Sequence, residues 1–213
     1  MESNVAKFFD KYAVDFNAIY GGRNGLLNSL INKYLRKSMM LRFVKTMEGC
    51  SPIDGKKIID IGCGAGHYAV ALAKNGAAYI YGIDFAQSMI DLARKHAQQS
   101  GVGNKCKFDL ADFMTQPIEE KFDYAILMGF MDYIKEPRSV IEKVLSLTKL
   151  KAFFSFPVRE GMLAWQRKLR YKIRCDLFFY DKKQICNILK GIVCKDLEIE
   201  RIDRDFFVTV YMQ

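Results

Sequence analysis

Histidine is nearly absent from this chain of 213 residues: there are two, His67 and His96. None of the six cysteines, Cys50, Cys63, Cys106, Cys175, Cys186 and Cys194, stands in a C-x-x-C pair. A Cys/His zinc site is therefore not expected, because structural zinc takes four such ligands, usually paired at short spacing. No run approaches the ~18 apolar residues that mark a membrane span, and no apolar segment follows Met1 as it would in a secretory leader. The cysteines thus read as reduced thiols of a cytoplasmic protein with no membrane span. Acidic residues are fewer than basic ones, 24 against 33, for a net charge of +9. That excess admits a nucleic acid, an anionic surface or an acidic small substrate, and selects none of them. Prolines are few, and Pro52, Pro117, Pro137 and Pro157 each mark the edge of a patterned segment.

Half of the residues are apolar, which is ordinary for a packed core and excludes disordered and collagen-like chains. The length suits one domain over 1–213. Residues 1–48 read as a helical cover. Phe8, Phe9, Tyr12, Phe16, Ile19 and Tyr20 recur at helical spacing. Gly21-Gly22 breaks that stripe, and Leu26 to Met47 forms a second helix. Over 56–156 short β-rich runs alternate with helical ones. The strands fall at Ile58–Ile61, Ala78–Ile83, Cys106–Leu110, Phe122–Met128 and Ala152–Phe156. The helices fall at Tyr68–Asn75, Gln87–Ser100 and Ser139–Leu147. This alternation argues an α/β fold, a doubly wound and mostly parallel sheet. In 157–178, Arg159, Arg167, Lys168, Arg170, Lys172 and Arg174 interleave with Trp165 and Tyr171, a basic segment placed where a lid could lie. In 179–213, Asp181 reads as the N-cap of a last helix. Leu197–Ile202 and Phe206–Met212 then form an antiparallel hairpin about a tight Asp203-Arg204-Asp205 connection.

Ligands of open parallel sheets bind at the carboxyl ends of the strands, near the switch point. After the first strand stands Asp60-Ile61-Gly62-Cys63-Gly64-Ala65-Gly66, a turn that brings backbone close to a ligand at a helix N-terminus. A dinucleotide fingerprint would place its third glycine at the position of His67. The second strand ends in Asp84-Phe85, a carboxylate placed to accept two ribose hydroxyls, with a helix N-cap or a surface aspartate as the plainer alternative. The third is followed by Asp112-Phe113 and the fourth by Met128-Gly129-Phe130-Met131-Asp132-Tyr133.

The G-x-G-x-G after Asp60, with the acidic residues at the next two strand ends, resembles the class I S-adenosylmethionine-dependent methyltransferases. The resemblance covers roughly Lys56 to Phe156 and implies a Rossmann-like sheet. Phe9-Asp10-Lys11-Tyr12-Ala13, followed by Phe16 and Tyr20, resembles the N-terminal cover helix of small-molecule methyltransferases, and Phe178-Phe179-Tyr180-Asp181 resembles the element before the last helix in those of the quinone and magnesium-protoporphyrin type. The resemblance implies S-adenosylmethionine as cofactor and S-adenosylhomocysteine as product. Gly62, Cys63, Gly64 and Gly66 would lie against the methionine part, and Asp60 would serve its amino group. Asp84 would hold the ribose, Phe85 and Met89 would flank the adenine, and Asp112 and Phe113 would read its edge. Met128 and Met131 either line the sulfonium side or belong to the core.

Methyl transfer from a sulfonium is an in-line displacement with a neutral leaving group, so alignment does much of the work. Asp132 and Tyr133 are the catalytic candidates, to take or orient a proton, with a capping role equally open for Asp132. His67 is open to local packing, a place near the cofactor carboxylate, or base catalysis; His96, in Arg94-Lys95-His96, reads as a solvated face. Tyr12 and Tyr20 could reach over the site. Arg167 and Arg170 carry forks suited to carboxylate or phosphate, which favours an anionic small acceptor; a solvated helix, a dimer contact or a membrane-surface contact fits the same segment. Metal is not expected, and the oligomeric state is not legible. Two other classes stay in view, an RNA or protein methyltransferase and a non-catalytic cofactor-binding subunit. No Asn-Pro-Pro-Tyr-type motif follows the fourth strand, so nucleic acid is not the expected partner.

Overall fold

The computed structural model describes residues 26–159 and 177–213. Its first element is a 24-residue helix, α1 (Leu26–Gly49). Then come β1 (Lys57–Ile61), α2 (His67–Lys74), β2 (Tyr79–Asp84), α3 (Gln87–Gln99), β3 (Cys106–Leu110) and β4 (Phe122–Leu127). The chain continues through α4 (Pro137–Leu147), β5 (Thr148–Pro157), α5 (Lys182–Leu189), β6 (Asp196–Ile202) and β7 (Asp205–Tyr211). The segment containing Tyr12 and Tyr20, and most of the basic stretch with Arg167 and Arg170, lie outside the described residues.

Among the described residues, seven strands form one sheet in the order β3-β2-β1-β4-β5-β7-β6. Strands β1 to β5 pair in parallel, and β7 runs antiparallel to both of its neighbours. This is the expected Rossmann-like sheet with a terminal hairpin. The alternation of side chains along a strand sorts the core into two faces. Ile59, Ile61, Ile83, Ala125 and Leu127 pack with Val140, Ile141 and Val144 of α4 and with Ile185 and Leu189 of α5. Ile58, Ile80, Tyr124 and Ile126 pack on the other face with Ala69 and Leu72 of α2 and Ile90 and Ala93 of α3, and Leu41, Phe43 and Met47 of α1 lean on them. Covering on both faces is why the central strands read as nearly unbroken apolar runs. The chain leaves β1 toward β2 and β3, then returns to place β4 on the other side of β1. The carboxyl ends of β1 and β4 therefore flank the switch point.

Most element boundaries move by one or two residues from the sequence reading, and two of the differences matter more. β5 begins at Thr148, directly after α4, and not at Ala152. Lys149 is exposed and Lys151 half-buried, so the strand's first turn of pattern is polar, and a register shift against β4 accompanies it. Asp205 is not part of the hairpin turn. Asp203 takes the left-handed backbone there, at φ 54°, while Asp205 opens β7 and is buried. The cap at Asp181 is present: its carboxylate accepts the Gln184 N–H at 2.8 Å, and the Gln184 side chain accepts the Asp181 N–H at 2.9 Å. That reciprocal pair starts α5.

Candidate functional site

The turn after β1 is shaped by left-handed backbone at Gly62, Gly64 and Gly66, with φ of 71°, 51° and 74°. The N–H groups of Gly62 and Cys63 donate to the Ile83 carbonyl at 2.8 and 3.1 Å, which ties the loop to the end of β2. A Cβ at Gly62 would lie 2.7 Å from Cδ2 of Phe130, so this glycine makes room for an aromatic ring of the chain itself. At Gly64 a Cβ would meet nothing within 4 Å. The open side of the loop is therefore at Gly64, a cradle that a side chain would fill.

The carboxylate at the end of β2 is turned into this loop. Asp84 is 8% exposed, and its Oδ2 accepts the Gly64 N–H at 2.9 Å while Oδ1 accepts the Ala86 N–H at 2.9 Å. Carboxylate oxygens accept more than one hydrogen bond each, so these bonds orient the group without consuming it. Asp60, 2% exposed, accepts from the Ala69 backbone, and its Oδ2 is a buried oxygen with no hydrogen bond among the described residues. Burial and the neighbouring Asp84 charge push the Asp60 carboxyl up to about 7. A buried carboxylate with an unanswered oxygen suits a cationic partner. The Cys63 thiol is buried, donates to the Gly64 carbonyl at 3.7 Å, and is held well above the ordinary thiol range by burial and by Asp60 and Asp84. It is a packing group of the loop, not a nucleophile.

His67 opens α2, and its ring stands edge-on to His96 with centroids 5.0 Å apart. Burial and His96 pull the His67 imidazole down to about 4, so it is neutral at physiological pH. His96 is not on a solvated face: it is half-buried, with Nδ1 3.3 Å from the Ala65 carbonyl of the glycine loop. Contact across 31 residues of sequence is what the local charge pattern concealed.

Phe85 is half-buried, and Met89 is buried in a small cluster with Ala65 and Ala86. The end of β3 joins the same region, since the Ala111 N–H donates to the Asp84 carbonyl at 3.0 Å. Asp112 closes a turn there, its Oδ1 accepting the Met114 N–H at 2.8 Å. The Phe113 ring is 3% exposed and belongs to the core on the α4 side, with the Lys143 ammonium 4.9 Å from its centroid. Lys143 also donates to the carbonyls of Phe113, Met114 and Gln116, at 2.6, 3.1 and 2.8 Å. The structure thus places the Phe113 side chain inside, and Lys143 holds the carbonyls of the turn.

After β4, Met128, Gly129 and Phe130 are half-buried and Met131 is fully buried in the core. Of the two readings of the methionines, Met131 takes the packing one. Residues Met131–Tyr133 form a 3-10 turn in which Asp132 is 2% exposed and Tyr133 half-buried. The Phe178 N–H donates to the Asp132 carbonyl at 2.9 Å, and the Tyr180 hydroxyl donates to the Ile134 carbonyl at 2.9 Å. The strand ends of β1 to β4 are therefore drawn together, with Asp132 and Tyr133 farther along the loop.

Three features were not found from the sequence. Phe130 sits on Gly62, Ser155 of β5 accepts the Gly129 N–H at 2.7 Å, and Arg42 of α1 reaches both Ser155 and Asp205. An aromatic residue beside a glycine after a strand could have pointed to Phe130. Nothing local marks the other two. Among the described residues no three His, Cys, Asp or Glu side chains are grouped as a metal site requires, and no helix is long and apolar enough to cross a membrane.

A family model described as a methyltransferase domain matches residues 53–174, more than half of the chain. The ubiquinone biosynthesis O-methyltransferase of Coxiella burnetii (strain Dugway 5J108-111) is 30% identical over 132 residues, 61% of this chain and 50% of that protein. The protein of the same name from Actinobacillus pleuropneumoniae serotype 7 is 34% identical over 113 residues, 51% of this chain and 48% of that one. The chain spans about half the length of the curated relatives it matches. Among solved structures, magnesium protoporphyrin IX methyltransferase from Synechocystis PCC 6803 with bound SAH superposes with a TM-score of 0.77 at 20% identity, over 100% of both chains. At that identity the likeness is one of fold.

Proposed function

The chain belongs to the methyltransferase-domain family, the class I S-adenosylmethionine-dependent methyltransferases, and on that premise we propose that it methylates an oxygen of a small, anionic acceptor. The observation that carries this reading is the meeting of Gly64 N–H and Asp84 Oδ2 at 2.9 Å beside the open face of Gly64. A backbone cradle and a ribose-type carboxylate face one space at the switch point. The buried Asp60 Oδ2 adds an acceptor for an ammonium group.

S-adenosylmethionine is the cofactor, and it supplies an electrophilic methyl on a sulfonium whose leaving group is a neutral thioether. The chain's contribution is alignment and exclusion of water. Gly62, Cys63, Gly64 and Gly66 give close backbone approach to the methionine part, and Asp60 holds its ammonium. Asp84 accepts from the ribose hydroxyls. Phe85 bounds the adenine, with Met89 packed behind it. Asp112 and the Phe113 backbone meet the adenine edge. Met128 borders the reacting end, while Met131 supports it from the core. Tyr133 is the more exposed member of the candidate pair and orients an acceptor proton; Asp132, buried, shapes the turn that carries it. An acceptor already ionised needs no base, which suits a phenolate or carboxylate.

The relatives' names support an oxygen acceptor, and the basic run of Arg159, Arg167, Lys168, Arg170, Lys172 and Arg174 in the sequence supports an anionic one. The guanidinium forks of Arg167 and Arg170 suit such an anion, and Tyr12 and Tyr20 stand with them as candidate acceptor-binding residues. A cytoplasmic setting fits the free thiols of Cys50, Cys63, Cys106, Cys186 and Cys194 among the described residues. The test is transfer of a labelled methyl group to a panel of phenols, carboxylates, tRNA and protein. Label in a phenol or carboxylate supports the reading. Label in RNA or protein alone, or in no acceptor, contradicts it.

A further inference from the structure

Beyond the glycine loop, Ser38, Asp205, Arg42 and Ser155 form a connected polar path. Asp205 is buried at the start of β7, pairs with Arg42 Nε at 3.4 Å, and accepts the hydroxyl of Ser38. Arg42 Nη1 donates to Ser155 Oγ at 3.2 Å. Ser155 is fully buried, and its Oγ accepts the Gly129 N–H at 2.7 Å. Gly129, at φ 73°, turns the chain out of β4, and the next residue lays its ring on Gly62. The path therefore runs from α1 and the hairpin, through β5, into the first glycine of the cradle.

Such a path is not the cheapest way to fill a core. Buried ion pairs are often matched or exceeded in stability by apolar residues of similar volume. What a chain of directed bonds does supply is geometry. Here it ends on the one backbone N–H that sets the exit from β4. A Gly129 amide without its acceptor would seek another partner, and Phe130 would turn with it.

We propose that Ser155, oriented by Arg42 and Asp205, is a positioning residue: through the Gly129 amide it holds Phe130 against Gly62 and fixes the wall between the cofactor cradle and the acceptor space. The inference rests on the cofactor reading given above. Ser155 touches no reacting atom and acts through the loop alone. Its removal should therefore matter only as far as Phe130 matters.

The experiment is a double-mutant cycle on Ser155→Ala and Phe130→Leu, read by calorimetric titration with S-adenosylhomocysteine, with hydrogen exchange followed at Gly129. Each single variant should weaken binding about tenfold, and the double variant should bind no worse than Phe130→Leu alone, because coupled residues are non-additive. Exchange at Gly129 should accelerate in Ser155→Ala. Arg42→Lys, which keeps the charge facing Asp205, should also accelerate it; this variant decides the matter if Ser155→Ala does not fold. Unchanged affinity in a folded Ser155→Ala protein, losses that multiply in the double variant, or unaltered exchange at Gly129 in Arg42→Lys would each overturn the proposal. Failure of the unmodified protein to bind S-adenosylhomocysteine would instead overturn the cofactor reading, and this inference with it.

Discussion

The two sides of the switch point are built differently. On the β1–β3 side the site is made mainly of backbone: left-handed glycines and N–H groups with the carboxylates of Asp60 and Asp84, joined over short stretches of sequence, as in Gly64–Asp84 across 20 residues and Ala86–Asp84 across two. On the β4–β7 side it is made of side chains joined across the whole sequence, Arg42 with Ser155 over 113 residues and Ser38 with Asp205 over 167. A ligand common to a family can be met by a local backbone turn that tolerates change elsewhere. The contact of Phe130 with Gly62 depends instead on how α1, β5 and the hairpin dock.

The largest effect should come from breaking the backbone side. Gly62→Val would place a branched side chain on left-handed backbone and against the Phe130 ring. Strain of roughly 1–3 kcal/mol from the backbone alone, plus the clash, should cost on the order of a hundredfold in S-adenosylhomocysteine affinity. Calorimetry checks it, and near-normal binding would mean that Phe130 moves aside freely. Next, Asp84→Ala should weaken the same binding about tenfold or more, since hydrogen bonds to a charged group contribute about 1.5–3 kcal/mol. Undiminished affinity would remove the ribose assignment.

Asp60→Asn sharpens the comparison through pH. The folded-state pKa of Asp60 is raised to about 7 from the ordinary carboxylate value, so the folded chain holds this proton more tightly than the unfolded one. The resulting stability is fully present below the ordinary value of about 4 and is lost as pH rises through 7. His67 acts in the opposite sense. Lowered to about 4, it contributes stability that is present above its ordinary value of 6.5 and lost as pH falls through 4. Thermal melts from pH 4.5 to 8 should therefore show the Asn variant gaining on the unmodified protein as pH rises, with the gain levelling above pH 7. The same variant should bind the ammonium-bearing product more weakly at pH 8. A gap that does not change with pH would contradict the buried, proton-holding Asp60.

The smallest effect should be at the rim of the side-chain half. Lys45 and Glu200 form an ion pair at 31% and 57% side-chain exposure. Glu200→Gln should change stability by less than ~1 kcal/mol and leave ligand affinity alone. A larger loss would mean that α1 is held by its surface and not by Arg42.

The same division explains what could be read in advance. The glycine turn, the carboxylates at 60 and 84 and the Asp181 cap are local patterns, in which spacing alone fixes which atoms meet. The mostly parallel sheet followed from alternation of strands and helices, while the order of its strands did not. The start of β5 was hidden because Lys149 and Lys151 break the apolar run. His96 reads as a surface residue in its local charge pattern because its partner loop lies 31 residues away. Asp205 sits next to a turn and is polar, yet it is buried by a guanidinium from the opposite end of the chain. Phe113 carries the aromatic character expected beside an adenine, but the core and Lys143 take its ring. In each case a tertiary partner, invisible to local spacing, decides the outcome.

The most direct measurement is calorimetric titration of the unmodified protein with S-adenosylhomocysteine, with NAD as the control. Micromolar binding of the first and none of the second is the expected result. Binding of NAD, or no binding of S-adenosylhomocysteine, would contradict the reading of the Gly62–Gly66 cradle.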